Sequence, residues 1–285
     1  MHSQRYGDEA RRRFWAEQMD EAYLFMQKMA LQPVSESGEE MIPLPETAGA
    51  AGVEIIFSKT PAPGGAQRLF YVRRGLGAKV LAVAREMNRR GWTLRIEDAY
   101  RTVEVQKRLA VQESVFDAIL ARTLWELKGR PPTVQEMLRR VSALVATCPK
   151  VGTHMSGSAL DISVLRRDDG MEVDRGAPYL EMSELTPMDS PFALAEAREN
   201  RKEITALMAR HGFAAYPYEF WHYSSGDAYS AFLSGIAEPA GYGPVRMELP
   251  GGRTCAIPNP IQPLHTEEEI RCQIELSLNR LARKR

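Results

Sequence analysis

Cysteine is scarce in this chain. The three in 285 residues, Cys148, Cys255 and Cys272, are odd in number and lack Cys-x-x-Cys spacing. Neither a disulfide framework nor a thiolate zinc site is indicated, and buried structural thiols are the simpler reading. An excess of charge of either sign is also missing. Thirty-seven basic residues balance 37 acidic ones, so no long-range attraction favours nucleic acid, and a small, near-neutral or zwitterionic ligand fits better. Nowhere do ~18 apolar residues run together, which speaks against a membrane partner. The polar start, Met1 to Glu9, lacks the apolar core of a secretory leader, so a cytoplasmic location is expected.

What is present is the composition of an ordinary folded protein, with 44% apolar and 26% charged residues, 18 prolines and 21 glycines. The length favours one central domain with extensions: residues 1–50 as a helical extension and wrapping segment, 51–235 as the central domain, and 236–285 as a second extension. Residues 8–31 read as a helix. In the Pro- and Gly-rich stretch that follows, Val53 to Phe57 is β-prone and suits an edge strand. Val80, Val83, Ala84 and Met87 recur at helical spacing before Gly91, and Leu94 and Ile96 then alternate as on a strand ending at Asp98-Ala99-Tyr100-Arg101. Two helices are expected over 102–147, the second opening on a capping box of Thr133 and Glu136. Ser190-Pro191 predicts the start of a helix that stops at Gly212, and the aromatic-rich 213–223 predicts a hairpin. A second capping box, Thr266 with Glu269, opens a last helix whose stripe of Ile270, Ile274, Leu278 and Leu281 must dock on its own domain or form a homodimer.

Chemistry concentrates in two places. In Ala159-Leu160-Asp161-Ile162-Ser163-Val164 a carboxylate interrupts an apolar strand, and burying it unpaired costs several kcal/mol, so a cation or a set of donors must meet it. His154 lies seven residues earlier, across Gly157. On an unbroken strand that odd spacing points the two apart, so the glycine must reverse the chain. Downstream, Glu219-Phe220-Trp221-His222 places a carboxylate three residues before a histidine. Two imidazoles and one carboxylate suit Zn²⁺ with an open fourth position, and a nearby unligated glutamate can take a proton from the water that the ion acidifies. The other histidines have simpler roles: His211 in a last helical turn, His265 before a cap, His2 near the terminus. Ser156 and Ser158 lack the Gly-x-Ser-x-Gly setting of a serine nucleophile.

The order His154-x-x-Gly157-x-Ala159-x-Asp161, then Glu219-x-x-His222, together with the Asp98-Ala99-Tyr100-Arg101 strand end, resembles the zinc D,D-peptidases. That family includes D-alanyl-D-alanine carboxypeptidases and the dipeptidases of vancomycin resistance. The resemblance covers roughly residues 70 to 225. It implies an α+β fold in which a small antiparallel sheet carries the zinc ligands under a cover of helices. It also implies one Zn²⁺ on His154, Asp161 and His222, Glu219 as general base, Arg101 as stabiliser of the tetrahedral intermediate, and a small cell-wall-derived peptide as substrate. The plainer role for Arg101 is a salt bridge with Asp98 or Glu97. One position departs from the pattern: the aspartate that binds the substrate's amino group is replaced by Leu180, with Glu181 or Glu184 as substitutes. This opens two alternatives, a D,D- or L,D-carboxypeptidase or endopeptidase on longer peptides, and a non-catalytic zinc-stabilised binding module.

Overall fold

Spacing of large apolar side chains organises the first element. Trp15, Met19, Ala22, Met26 and Met29 fall on one face of α1 (Asp8–Leu31) and are buried. The computed structural model describes residues 7–62 and 65–283; His2 and the basic end residues Lys284 and Arg285 lie outside them. After α1 come β1 (Met41–Pro43), α2 (Leu44–Ala50), β2 (Ile55–Phe57), β3 (Tyr71–Arg73), α3 (Arg74–Arg89) and β4 (Trp92–Asp98). Then follow α4 (Val103–Val111), α5 (Glu113–Glu126), α6 (Val134–Leu144) and β5 (Ala159–Arg166). The chain continues through α7 (Ala195–Arg210), β6 (Ala214–Ala215), β7 (His222–Ser224), α8 (Ala228–Leu233), β8 (Val245–Met247), β9 (Thr254–Ala256) and α9 (Glu267–Arg283). Among the described residues no helix is long and apolar enough to cross a membrane.

The expected α+β class is observed. A five-stranded sheet runs in the order β2-β4-β5-β7-β6. All its pairings are antiparallel except β2 with β4, which run parallel. The connection from β2 to β4 passes through β3 and α3, a crossover long enough to bring the chain back in the same direction. Side chains alternate across this sheet. Leu94, Ile96, Leu160, Ile162, Val164 and Tyr223 join residues of α3 and α7 in the main core. Asp161, His222 and their row neighbours are left for the opposite face.

That opposite side is helical. The α4–α6 unit and α9 surround a second cluster that includes Phe116, Ile119, Leu120, Met137 and Val141, and α1 packs on α5 and α6 beside it. The Thr133–Glu136 capping box forms as expected. Residues 102–147 hold three helices rather than two, because Gln112 turns extended (φ −65°, ψ 136°) between α4 and α5 without any glycine or proline to announce it. The Ser190-Pro191 start is likewise corrected: α7 begins at Ala195. The Ser190 hydroxyl instead donates to the Glu184 carbonyl and accepts from Phe192 N–H, closing a turn five residues earlier. In α9, Ile270 and Ile274 are buried against α5 and α6, with Leu278 and Leu281 packed beside them, so the stripe docks on its own chain.

Candidate metal centre and active site

Three neighbouring strands deliver the site. In the sheet register Asp98 on β4 pairs with Asp161 on β5, and Asp161 pairs with His222 on β7, forming one row of polar side chains across the middle of the sheet. His154 reaches that row from a 3₁₀ turn, Thr153–Ser156. Gly157 then reverses the chain at φ +67°, the left-handed region where a side chain is strained, and β5 begins two residues later. The reversal expected from the sequence is therefore present. The loop is tied down by Arg101 N–H to the His154 carbonyl and Arg73 N–H to the Gly157 carbonyl.

His154, Asp161 and His222 are all buried, and among the described residues they are the group whose ligand atoms could hold a metal, all within 4.8 Å of one another. His154 Nε2 and His222 Nδ1 lie 3.2 and 3.0 Å from Asp161 Oδ1. On the far side of each ring stands a polar partner: the Ala99 carbonyl 2.6 Å from His154 Nδ1, and Thr153 Oγ1 2.9 Å from His222 Nε2. A carbonyl only accepts, so Nδ1 of His154 carries the proton and its Nε2 presents a lone pair towards an anionic carboxylate oxygen. Two acceptors in contact need a proton or a metal cation between them, and partners behind metal-binding imidazoles fix tautomer and orientation in this way. The residues thus fit a divalent metal with nitrogen and oxygen preference.

The charges around the row agree. Burial opposes ionisation of Asp161, but the two neighbouring imidazoles and the Arg101 guanidinium hold its carboxyl well below the usual carboxylate range. Burial lowers His222, against the pull of Asp161, keeping the ring neutral and its lone pair free. Asp161 Oδ2 accepts from Arg101 Nη2 at 3.0 Å and from the Tyr179 hydroxyl at 2.9 Å, which leaves Oδ1 facing the two histidines. Arg101 also donates to Asp98 Oδ2 at 2.7 Å. The salt bridge with Asp98 therefore exists, and it aims the guanidinium into the site rather than away from it.

Glu219 sits on the turn between β6 and β7, and its carbonyl accepts from His222 N–H. It lines the same cavity as the triad, Arg101 and Tyr179, a space of about 490 Å³. Burial, reinforced by the Asp161 charge, pushes its carboxyl well above the ordinary value, while Arg101 and a hydrogen bond from Trp221 pull the other way. A carboxylate poised in a cleft near a metal-ligand set, with its proton affinity raised, has the character of a general base.

Of the two substitutes for the missing aspartate, Glu181 lines the cavity and Glu184 is held by Arg11 and Arg122. Leu180 also lines it, at φ +66°, a conformation unusual for a branched residue. Among the aromatics of 218–223, Trp221 lines the cavity, Tyr223 lies in the main core and Tyr218 packs beside Phe25. Sequence reasoning missed Tyr179, Thr153 and Arg68. The last lies 2.8 Å from Asp98 Oδ2 and lines the cavity. Adjacency to His154 was the one available signal, for Thr153; Tyr179 and Arg68 stand in stretches without periodicity.

Residues 67–236 match the model of the peptidase M15 family, described as D-ala-D-ala dipeptidase. The chain belongs to that family. Curated relatives are D-alanyl-D-alanine dipeptidases. That of Synechocystis sp. is 28% identical over 155 residues, 48% of this chain and 60% of the relative. That of Enterococcus faecium is 32% identical over 71 residues (25% and 35%), and that of Escherichia coli K12 is 34% identical over 90 residues (28% and 46%). The chain thus spans between about a third and three fifths of the length of the relatives it matches. Among solved structures, the LdcB LD-carboxypeptidase aligns at 18% identity and TM-score 0.37 over 68% of this chain and 71% of that one. The vancomycin resistance D,D-pentapeptidase VanY, in complex with Zn(II), aligns at 16% and TM-score 0.34 over 64% of this chain and 93% of that one.

Proposed function

We propose that this M15 family member is a zinc metallopeptidase that hydrolyses D-alanyl-D-alanine or a related small cell-wall-derived peptide. The observation that carries the reading is the buried His154–Asp161–His222 triad sharing one cavity with an unligated Glu219 and with Arg101. His154 Nε2, Asp161 Oδ1 and His222 Nδ1 would hold the ion. Bound there, zinc supplies Lewis acidity, acidifying a water and polarising the scissile carbonyl.

The chain's own residues do the rest. Glu219 accepts the proton of the attacking water and passes it to the departing amine. Its raised proton affinity suits the second task, and the cation's charge assists the first by favouring the ionised form. Arg101, aimed by Asp98, stabilises the negative charge that grows on the carbonyl oxygen. Tyr179 and Arg101 together keep Asp161 Oδ2 occupied, so the carboxylate cannot rotate away from the histidines.

A second reading, a carboxypeptidase on longer peptides, has one observation in its favour: Leu180 stands in the cavity wall where an amino-binding aspartate is expected. The test is a panel of D,D-, L,D- and L,L-dipeptides and longer cell-wall peptides incubated with zinc-loaded protein, following released amino acid. Cleavage of D-alanyl-D-alanine supports the dipeptidase. Cleavage confined to longer peptides moves the assignment to a carboxypeptidase or endopeptidase. Zinc binding without any cleavage supports the binding module and overturns the enzyme.

A further inference from the structure

The lining of the cavity falls into two sets. One is the polar row described above. The other comes from the helical side of the molecule and is mostly apolar: Leu109 of α4, Val115 of α5, Leu144 at the end of α6, Val145 and Met182, with Met26 of α1, beside the polar Gln106, Ser114 and Glu181. The proposed chemistry uses none of these residues. Nor does the main core need them, since its buried apolar side chains lie on the other face of the sheet.

Space and exposure indicate that this part is open to a ligand. The whole cavity, polar row included, measures about 490 Å³, within the roughly 300–1,000 Å³ typical of small-molecule sites. Ser114 and Ala118, one turn apart on the same face of α5, both line the cavity and are exposed. Their small side chains leave room where larger ones would fill it. The wall is also braced, because Val115 belongs to the cluster that Ile270 and Ile274 of α9 complete, and Leu109, Leu144 and Met182 pack against it.

We infer that this apolar compartment is a specificity subsite for a leucine- or phenylalanine-sized side chain of the substrate peptide, next to the scissile bond. The inference rests on the peptidase reading and narrows its substrate class. It also assigns roles to segments outside the family match: α1 supplies wall through Met26, and α9 supports the wall from behind. Burying such a side chain should raise kcat/KM by on the order of tenfold to a hundredfold over alanine.

The experiment compares alanyl-alanine with dipeptides carrying leucine or phenylalanine at either position, in matching stereochemical series, on zinc-loaded wild type, Ala118→Leu and Ser114→Leu. Because both positions are exposed, the variants should fold, and either alone suffices. The expected result is a preference of at least tenfold for the larger side chain in the wild type. In the variants this preference should be lost, with kcat/KM for the larger side chain falling to or below that for alanyl-alanine. Equal kcat/KM for both series, unchanged by the variants, would overturn the subsite and leave the peptidase standing. If no peptide is cleaved, the peptidase reading fails and the same peptides are titrated by calorimetry. Binding of the larger ones that Ala118→Leu or Ser114→Leu abolishes then supports the subsite, and its absence overturns it.

Discussion

At Glu219 two influences on a carboxyl group conflict, and the conflict is measurable. Burial and the Asp161 charge raise its proton affinity, so in metal-free protein the folded state holds a proton that the unfolded chain releases above its ordinary value near 4.5. The stabilisation from that proton is present at low pH and is lost as pH rises through the raised value. His222 runs in the opposite sense. Its folded value is depressed, so it stabilises above about 6.5 and loses that contribution as pH falls. Comparing wild type with Glu219→Gln separates the two. The metal-free variant should melt above wild type at pH 8, and the gap should close on acidification. A gap that does not depend on pH would refute a raised carboxyl. In the zinc-loaded enzyme the same substitution should lower kcat by roughly 10²–10⁴-fold, the usual worth of a positioned proton carrier, with zinc content by atomic absorption unchanged. Arg101→Lys should lower kcat more than it raises KM, because a guanidinium held by Asp98 is replaced by an ammonium that cannot keep both contacts.

On the scale of single elements, the short turn before β5 decides whether the triad forms. Gly157 stands at φ +67°, and a Cβ there would also meet Met41 Cε at 2.4 Å. Met41 can shift, but the backbone cannot relax without moving His154, which lies three residues earlier. Gly157→Ala should therefore cost about 1–2 kcal/mol in stability. It should also weaken zinc affinity by about tenfold or more, read by competition with a chromophoric chelator. Thr133→Ala is the matched control: losing the α6 capping box should cost about 1 kcal/mol in stability with zinc affinity unchanged. The same contrast explains how much could be read beforehand. His154, Asp161, Glu219 and His222 were legible because a carboxylate in an apolar strand and a glycine at a reversal carry a physical demand in one dimension. The Thr133 and Thr266 caps were legible for the same reason, being local. The break at Gln112 and the late start of α7 were not, since packing rather than a breaker residue sets them. Tyr179 and Arg68 meet the site only after the sheet has closed, and nothing in their neighbourhoods marks them.

Across the whole molecule, one side chain joins the parts that the sequence divides. Arg73, at the junction of β3 and α3, is fully buried, and its guanidinium pairs bidentately with Glu36. It also donates to the carbonyls of Glu39, Ser156 and Gly243. These partners come from the segment after α1, the turn that carries His154, and the stretch before β8. The turn that carries His154 and the packing of both ends of the chain are thus coupled through one ion. Removing a buried cation while its acceptors stay in place costs about 3–5 kcal/mol, because a carboxylate and several carbonyls lose their donors. Arg73→Ala should accordingly lower the melting temperature by on the order of 10 °C. Zinc should restore part of the loss, since a ligand bound only by the folded state adds about 4 kcal/mol at a thousandfold excess over its Kd. Thermal scans with and without zinc, on wild type and variant, check both statements. A zinc-dependent shift that is equal in the two proteins would mean that the triad keeps its geometry without Arg73. A smaller shift in the variant would show that the clamp helps position His154 through the Ser156 carbonyl.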